Sequence, residues 1–258
     1  MKYLWSDEKK LKNVFDSPKK RVIFLDFDGT LVSIASTPDA VKLDPQVKKV
    51  LQDLSANPQN LLVVISGRSW AQLQTHVRLR NAVLAGNHGL EIRGRGLTLP
   101  PKARRARKLR SFIERMAQKF RMAFHVYPGV LVEDKKYTLS VHFRNVPEPQ
   151  KPVFKELIRF FKQKYGHFPV IWTQGKKVME IRPSVSWNKG DTVEYLMKKN
   201  PGAVPIAIGD DRTDEDMFRA LKRLHGITIR VGHLKSSLAD YYLSSPHDVK
   251  MFLQKLCA

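Results

Sequence analysis

Asp26-Phe27-Asp28-Gly29-Thr30 follows directly on Arg21-Val22-Ile23-Phe24-Leu25, and the reading of this stretch decides the fold. The first half is short, continuously apolar and rich in β-formers, the pattern of a strand buried on both faces. It ends in two carboxylates and a glycine, so a core strand opens here into a polar loop. An unpaired charge at such a place is costly, and open α/β sheets place their ligands at the carboxyl ends of parallel strands. Residues i and i+2 of an extended chain point the same way, which lets Asp26 and Asp28 converge on one metal or one reacting group. The competing reading is an Asx turn after a strand.

Working outward, the same strand-to-helix alternation recurs. Asp44-Pro45 starts a helix with a capping carboxylate and proline at the first helical position. Leu61–Ile65 is a second buried strand ending at Ser66, Ala82–Ala85 a third, followed by Gly86-Asn87-His88-Gly89-Leu90-Glu91. This alternation predicts a parallel sheet covered by helices. After Pro100-Pro101 the pattern changes to a basic helix over about 102–121, alternating strands near 129–133 and 138–144, a helix over 150–165, and strands at 170–173 and 178–181. The parallel pattern then resumes with a helix from Lys189, the strand Ile206–Ile208, a helix after Asp214, a strand at 227–229 and a helix over 246–256. The expected architecture is α/β: a Rossmann-like parallel core of residues 1–100 and 183–258, with an α+β cap inserted at 101–182.

The chain has 258 residues and a net charge of +22. Its basic residues concentrate in Lys102–Arg110, the makings of a solvated helix face. Nucleic-acid binding is not expected, since no recognition motif accompanies the charge. No apolar run reaches membrane-spanning length, the N-terminus lacks a secretory apolar segment, and the one cysteine, Cys257, has no internal partner. The expectation is a cytoplasmic monomer acting on a small anionic substrate.

Four strand or helix ends carry polar groups: Asp26 and Asp28, Ser66, Lys189, and Gly209-Asp210-Asp211-Arg212-Thr213-Asp214-Glu215-Asp216. In a parallel sheet they share one edge. Five acidic residues within seven positions need compensation by a cation, by lysine or by a helix N-terminus. First-turn placement explains Glu215 and Asp216 but not Asp210, which follows an apolar strand directly. Hard oxygen donors without Cys or His nearby point to Mg²⁺.

Taken in order, Asp26-Phe27-Asp28-Gly29-Thr30, Ser66, Lys189 and Gly209-Asp210-Asp211 resemble the four motifs of haloacid dehalogenase-like (HAD) phosphatases. The finer resemblance is to trehalose-6-phosphate phosphatases. It is carried by Gly86–Glu91, Glu133-Asp134-Lys135, Gly175-Lys176, Glu180-Ile181-Arg182-Pro183, Asn188-Lys189-Gly190 and the acidic run through Met217-Phe218. The resemblance implies Asp26 as nucleophile, Asp28 as general acid and base, and Ser66 and Lys189 on the phosphoryl oxygens. It implies Mg²⁺ on the carboxylates of Asp26 and Asp210 and the backbone carbonyl of Asp28, with Asp211 or Asp214 behind it; the residues do not choose between these two. It further implies a cap closing over the sheet edge, with Glu133, Lys135, Lys176 and Glu180 on sugar hydroxyls and His88 and Arg68 near the substrate. His142 reads as a packed residue of the cap sheet. The expected reaction is hydrolysis of trehalose 6-phosphate. The alternative substrates are sucrose 6-phosphate and a glycosyl-phosphoglycerate.

Overall fold

The computed structural model describes residues 1–257 apart from 36, 38, 39, 95, 98 and 176. The elements, in chain order, are β1 (Lys2–Tyr3), α1 (Glu8–Phe15), β2 (Arg21–Leu25), α2 (Pro45–Ala56), β3 (Asn60–Ile65), α3 (Trp70–Val77), β4 (Val83–Gly86) and β5 (Glu91–Arg93). There follow α4 (Pro101–Arg104), α5 (Arg110–Phe124), β6 (Leu131–Asp134), β7 (Leu139–His142), α6 (Lys151–Tyr165), β8 (Val170–Gly175) and β9 (Val178–Pro183). The chain ends with α7 (Lys189–Lys198), β10 (Val204–Gly209), α8 (Glu215–Arg223), β11 (Ile227–Val231), β12 (Tyr241–Leu243) and α9 (Pro246–Cys257). These form two compact units, Met1–Pro100 with Trp187–Ala258, and Pro101–Ser186.

The first unit is built on a sheet of order β1-β12-β11-β10-β2-β3-β4-β5. Every neighbouring pair is parallel except β4 and β5. All five residues of β2 are buried. Ile23 and Leu25 pack with residues of α2, α3 and α9, and Val22 and Phe24 with residues of α7 and α8. Burial on both faces is why the strand reads as an unbroken apolar run. The cap of α2 forms as the sequence requires, with Asp44 accepting from the Gln46 amide at 2.6 Å. The edge strands β1 and β5, and β12 next to β1, were not expected. They have two or three residues each, too few to show a period.

The second unit has an antiparallel sheet of order β6-β7-β9-β8. One face packs on α5 and α6 through Leu139, Val141, Ile181 and an aromatic cluster. In that cluster Phe120 meets Phe161 at 4.5 Å between ring centroids and Phe124 meets Phe154 at 5.1 Å. The single basic helix expected over 102–121 is instead α4, a 3₁₀ stretch at Arg105–Leu109, and α5. In the 3₁₀ stretch Ala106 is the residue turned into the core. The chain rejoins the first unit at Trp187 rather than 183. The Ser184 amide bonds to the Pro169 carbonyl at 2.7 Å and the Val185 amide to that of Pro183 at 2.8 Å, tying these residues to the second sheet. Among the described residues, no helix is long and apolar enough to cross a membrane.

Candidate active site

Because β2, β3 and β10 are adjacent and parallel, their carboxyl ends bring Asp26, Ser66 and Asp210 to one edge. Lys189 arrives at the first position of α7, whose start is fixed by a reciprocal cap. Asn188 accepts from the Asp191 amide at 3.0 Å while Asp191 accepts from the Asn188 amide at 2.9 Å. Gly190 lets this turn approach the backbone of Asp216, whose carbonyl oxygen would lie 2.4 Å from an added Cβ. The Lys189 ammonium is 2 % exposed and donates to Asp26 Oδ1 and to Asp214 Oδ1, both at 2.7 Å. Asp214 Oδ2 accepts the amides of Asp210 and Asp211 at 2.9 and 3.0 Å. Asp211 is spent on its own turn, accepting from the amide and hydroxyl of Thr213 at 2.8 and 2.7 Å. Of the two residues the sequence left open, Asp214 is therefore the partner of Lys189.

Oxygens of Asp26, Asp210 and Asp214 lie within 4.8 Å of one another, a candidate metal site. The carboxylates differ in what they can still give. Both oxygens of Asp214 are committed. Asp26 has one lysine bond and Asp210 a 3.4 Å bond from Thr30 Oγ1; among the described residues, no donor reaches the second oxygen of either. Burial pushes Asp26 well above the ordinary carboxylate range, Lys189 opposing it. Burial and then Asp214 push Asp210 up to about 7, and burial pushes Asp214 up to about 6. Asp211 is held below its ordinary range: burial raises it, but Lys189 and the Thr213 bonds outweigh that. Lys189 is driven well above the ordinary lysine range, its two carboxylates overcoming its own burial. Among the described residues, Lys189 is the cation bonded to this cluster, at Asp26 and Asp214, and the cluster's open groups are hard oxygens, which fits a magnesium-sized cation.

The Asp28 carboxylate is not among the three that cluster. β2 has ended at Leu25, and the loop closes on itself with the Leu31 amide on the Phe27 carbonyl at 2.9 Å and the Gly29 amide on that of Val32 at 2.7 Å. The Asp28 carboxylate instead takes a two-pronged bond from Arg68, Nε to Oδ2 at 2.7 Å and Nη2 to Oδ1 at 2.6 Å. Arg68 is buried over the Phe27 ring, 5.3 Å from its centroid. Ser66 is also buried, and its Oγ accepts from the Arg68 amide at 3.2 Å. The Gly86–Glu91 loop braces this corner. The Asn87 side chain and the Trp70 amide both donate to Glu91 Oε2, at 2.9 and 3.2 Å, while the His88 amide bonds to the Ser66 carbonyl at 2.9 Å.

In the second unit the helix-free face of the sheet is polar. Register sets Glu133 opposite Ser140 and Ser140 opposite Glu180. Lys135 Nζ lies 3.6 Å from Glu180 Oε1 and 3.9 Å from Glu133 Oε2, so three expected residues come together. Lys176 lies outside the described residues. His142 is a correction: it is on this polar face, half-buried, with Nε2 2.8 Å from Glu133 Oε2. The alternation Leu139-Ser140-Val141-His142 carries that signal, because Leu139 and Val141 belong to the core face. Arg230, which bonds at 3.1 Å to Glu215, a first-turn residue of α8 as read from the sequence, escaped that reading.

Comparison with known proteins agrees with this geometry. The family model described as trehalose-phosphatase matches residues 24–247. Trehalose-phosphate phosphatase B of Arabidopsis thaliana is 34 % identical over 257 residues, covering 92 % of this chain and 66 % of its own length. Trehalose 6-phosphate phosphatase RA3 of Zea mays is 34 % identical over 92 % of this chain and 70 % of its own. Among solved structures, the C-terminal domain of the C. albicans trehalose-6-phosphate phosphatase superposes with a TM-score of 0.81, covering 99 % of this chain and 97 % of that one at 24 % identity, a likeness of fold. The Aspergillus fumigatus trehalose-6-phosphate phosphatase is 27 % identical with a TM-score of 0.66, covering 100 % and 98 %. With the parallel HAD-type sheet, the separate antiparallel sheet and the buried Asp–Lys–Asp edge all in place, the chain belongs to the trehalose-phosphatase family.

Proposed function

We propose that this enzyme is a phosphoric monoester hydrolase that converts trehalose 6-phosphate to trehalose and phosphate through an aspartyl-phosphate on Asp26. The observation that carries this reading is the buried Asp26, tied by one oxygen to Lys189 at 2.7 Å and open at the other. The open oxygen attacks phosphorus; an O–P bond forms to Asp26 and the bond from phosphorus to the sugar oxygen breaks. Asp28 gives the departing sugar oxygen a proton and later takes one from the water that attacks phosphorus, as the Asp26 O–P bond breaks and phosphate leaves. At rest both Asp28 oxygens accept from Arg68. Ser66 and Lys189 donate to the phosphoryl oxygens as charge grows on them. Asp26, Asp210 and the Asp28 carbonyl would hold Mg²⁺, which when bound lets carboxylate and phosphate approach each other. We assign the sugar hydroxyls to Glu133, Lys135, Lys176 and Glu180.

The test is phosphate release from trehalose 6-phosphate, sucrose 6-phosphate, glucose 6-phosphate and a glycosyl-phosphoglycerate, with Mg²⁺ and with chelator. A Mg²⁺-dependent preference for trehalose 6-phosphate is expected, lost by several orders of magnitude in Asp26→Asn. Preference for another member would keep the hydrolytic edge and discard the sugar assignment. Full turnover by Asp26→Asn would discard the nucleophile.

A further inference from the structure

Arg230 stands on β11 opposite Gly209, the last residue of β10. Its guanidinium reaches the loop that follows Gly209 and spreads over three acceptors. Nη2 donates to the Asp210 carbonyl, and Nη1 to the Asp211 carbonyl at 3.4 Å and to Glu215 Oε1 at 3.1 Å. The side chain is 12 % exposed, which sets it apart from a surface ion pair. Glu215 in turn accepts from Ser237 Oγ and from the Leu238 amide, both at 2.7 Å. A first-turn glutamate serving only the helix dipole would face solvent; this one ties α8, β11 and the 232–240 segment together.

The two carbonyls held by Arg230 belong to the same residues whose amides are held by Asp214 Oδ2. The backbone of Asp210 and Asp211 is thus bonded on its donor side by an anion and on its acceptor side by a cation. What remains adjustable at Asp210 is its side chain. The guanidinium charge also offsets part of the repulsion among Asp210, Asp211 and Asp214. Its fork is suited to several fixed acceptors at once, which a lysine ammonium is not.

We propose that Arg230, oriented by Glu215, is a positioning residue for the metal site: it fixes the Asp210 loop so that the carboxylate meets Mg²⁺ with little rearrangement. This rests on Asp210 being a metal ligand, as argued above.

Mg²⁺ binding to the substrate-free enzyme, read as melting temperature against Mg²⁺ concentration, tests it without relying on turnover. In Arg230→Met the Mg²⁺ midpoint is expected to rise by about 10- to 100-fold, the usual cost of losing a partner behind a metal ligand. Arg230→Lys should recover part of that loss, and Glu215→Gln should show a smaller rise. A purely structural role would lower the metal-free melting temperature and leave the midpoint in place; that result, or full recovery by lysine, overturns the proposal. Should Arg230→Met fail to fold, Glu215→Gln and Arg230→Lys decide by the same criterion. If Mg²⁺ does not shift the wild-type enzyme at all, the metal reading of Asp210 falls, and this proposal with it. A wild-type shift with unmoved variants overturns this proposal alone.

Discussion

Lys189 holds two carboxylates of the cluster, Asp26 and Asp214, together. Among the described residues, its ammonium is the cation bonded to both Asp26 and Asp214. Replacing it by methionine leaves two buried carboxylates unpaired, a loss of about 3–5 kcal/mol where both must stay charged. The two carboxyl groups already sit above their ordinary values in the folded chain, so the folded state holds protons that the unfolded chain has released. Stability from such groups is present at low pH and is lost as pH rises through the folded values. In the metal-free wild type the window runs from the ordinary value of 3.8 up to about 6 for Asp214 and about 7 for Asp210. The raised lysine acts only above the ordinary lysine range, outside this window. Lys189→Met should therefore melt well below wild type at pH 8 and recover much of the gap near pH 5. A gap independent of pH would show that the carboxylates are not what the lysine restrains. Mg²⁺ should raise the wild-type melting temperature more at pH 8 than at pH 5, since protons compete for the same oxygens.

At the scale of elements, the loop after β2 and the loop after β10 are fitted to each other. Gly29 has φ +85°, and a Cβ there would lie 2.2 Å from Asp210 Oδ2. Gly29→Ala is expected to displace the Asp210 carboxylate and cut Mg²⁺-dependent turnover by at least about tenfold, seen as a raised Mg²⁺ requirement in the phosphate-release assay; an unchanged requirement would sever the link between the two loops. The long buried strands and the α2 cap were legible because their signals are local: an unbroken apolar run, an Asp-Pro start. So were Asp26, Lys189 and Asp210, each next to a strand end or helix start. Other features depend on distant partners. Asp28 pairs with Arg68 across forty positions, and nothing in Asp-x-Asp spacing reveals that. The choice between Asp211 and Asp214 needed side-chain directions within one turn. Arg230 looks like any charged residue near a strand end until β10 and β11 are set side by side. His142 was legible and missed, since the alternation in β7 already separates it from Val141.

For the whole molecule, charge is uneven. Residues 101–186 carry 20 Lys and Arg against 6 Asp and Glu, and so +14 of the net +22. A field of that sign raises the local concentration of an anionic substrate and is screened by salt. With trehalose 6-phosphate, kcat/KM is expected to fall by about tenfold between about 0.02 and about 0.5 M salt, over which the screening length shrinks from roughly 20 to roughly 4 Å. Neutralising Arg105, Arg107 and Lys108, all exposed, should flatten that dependence. A salt-independent kcat/KM in the wild type would mean the charge has no part in substrate capture.

The central strand also sets an order of events. β2 pairs on one side with β3, which follows within forty residues, and on the other with β10, which begins at Val204. The stretch between 101 and 186 is a compact unit in its own right. A ribosome therefore delivers one edge of β2 long before the strand that covers the other, with an entire second unit made in the interval. During that interval a fully buried strand offers an open edge to any neighbour. The pairing of β2 with β10 is also what sets Asp210 beside Asp26, so no fragment ending before β10 holds the carboxylate cluster.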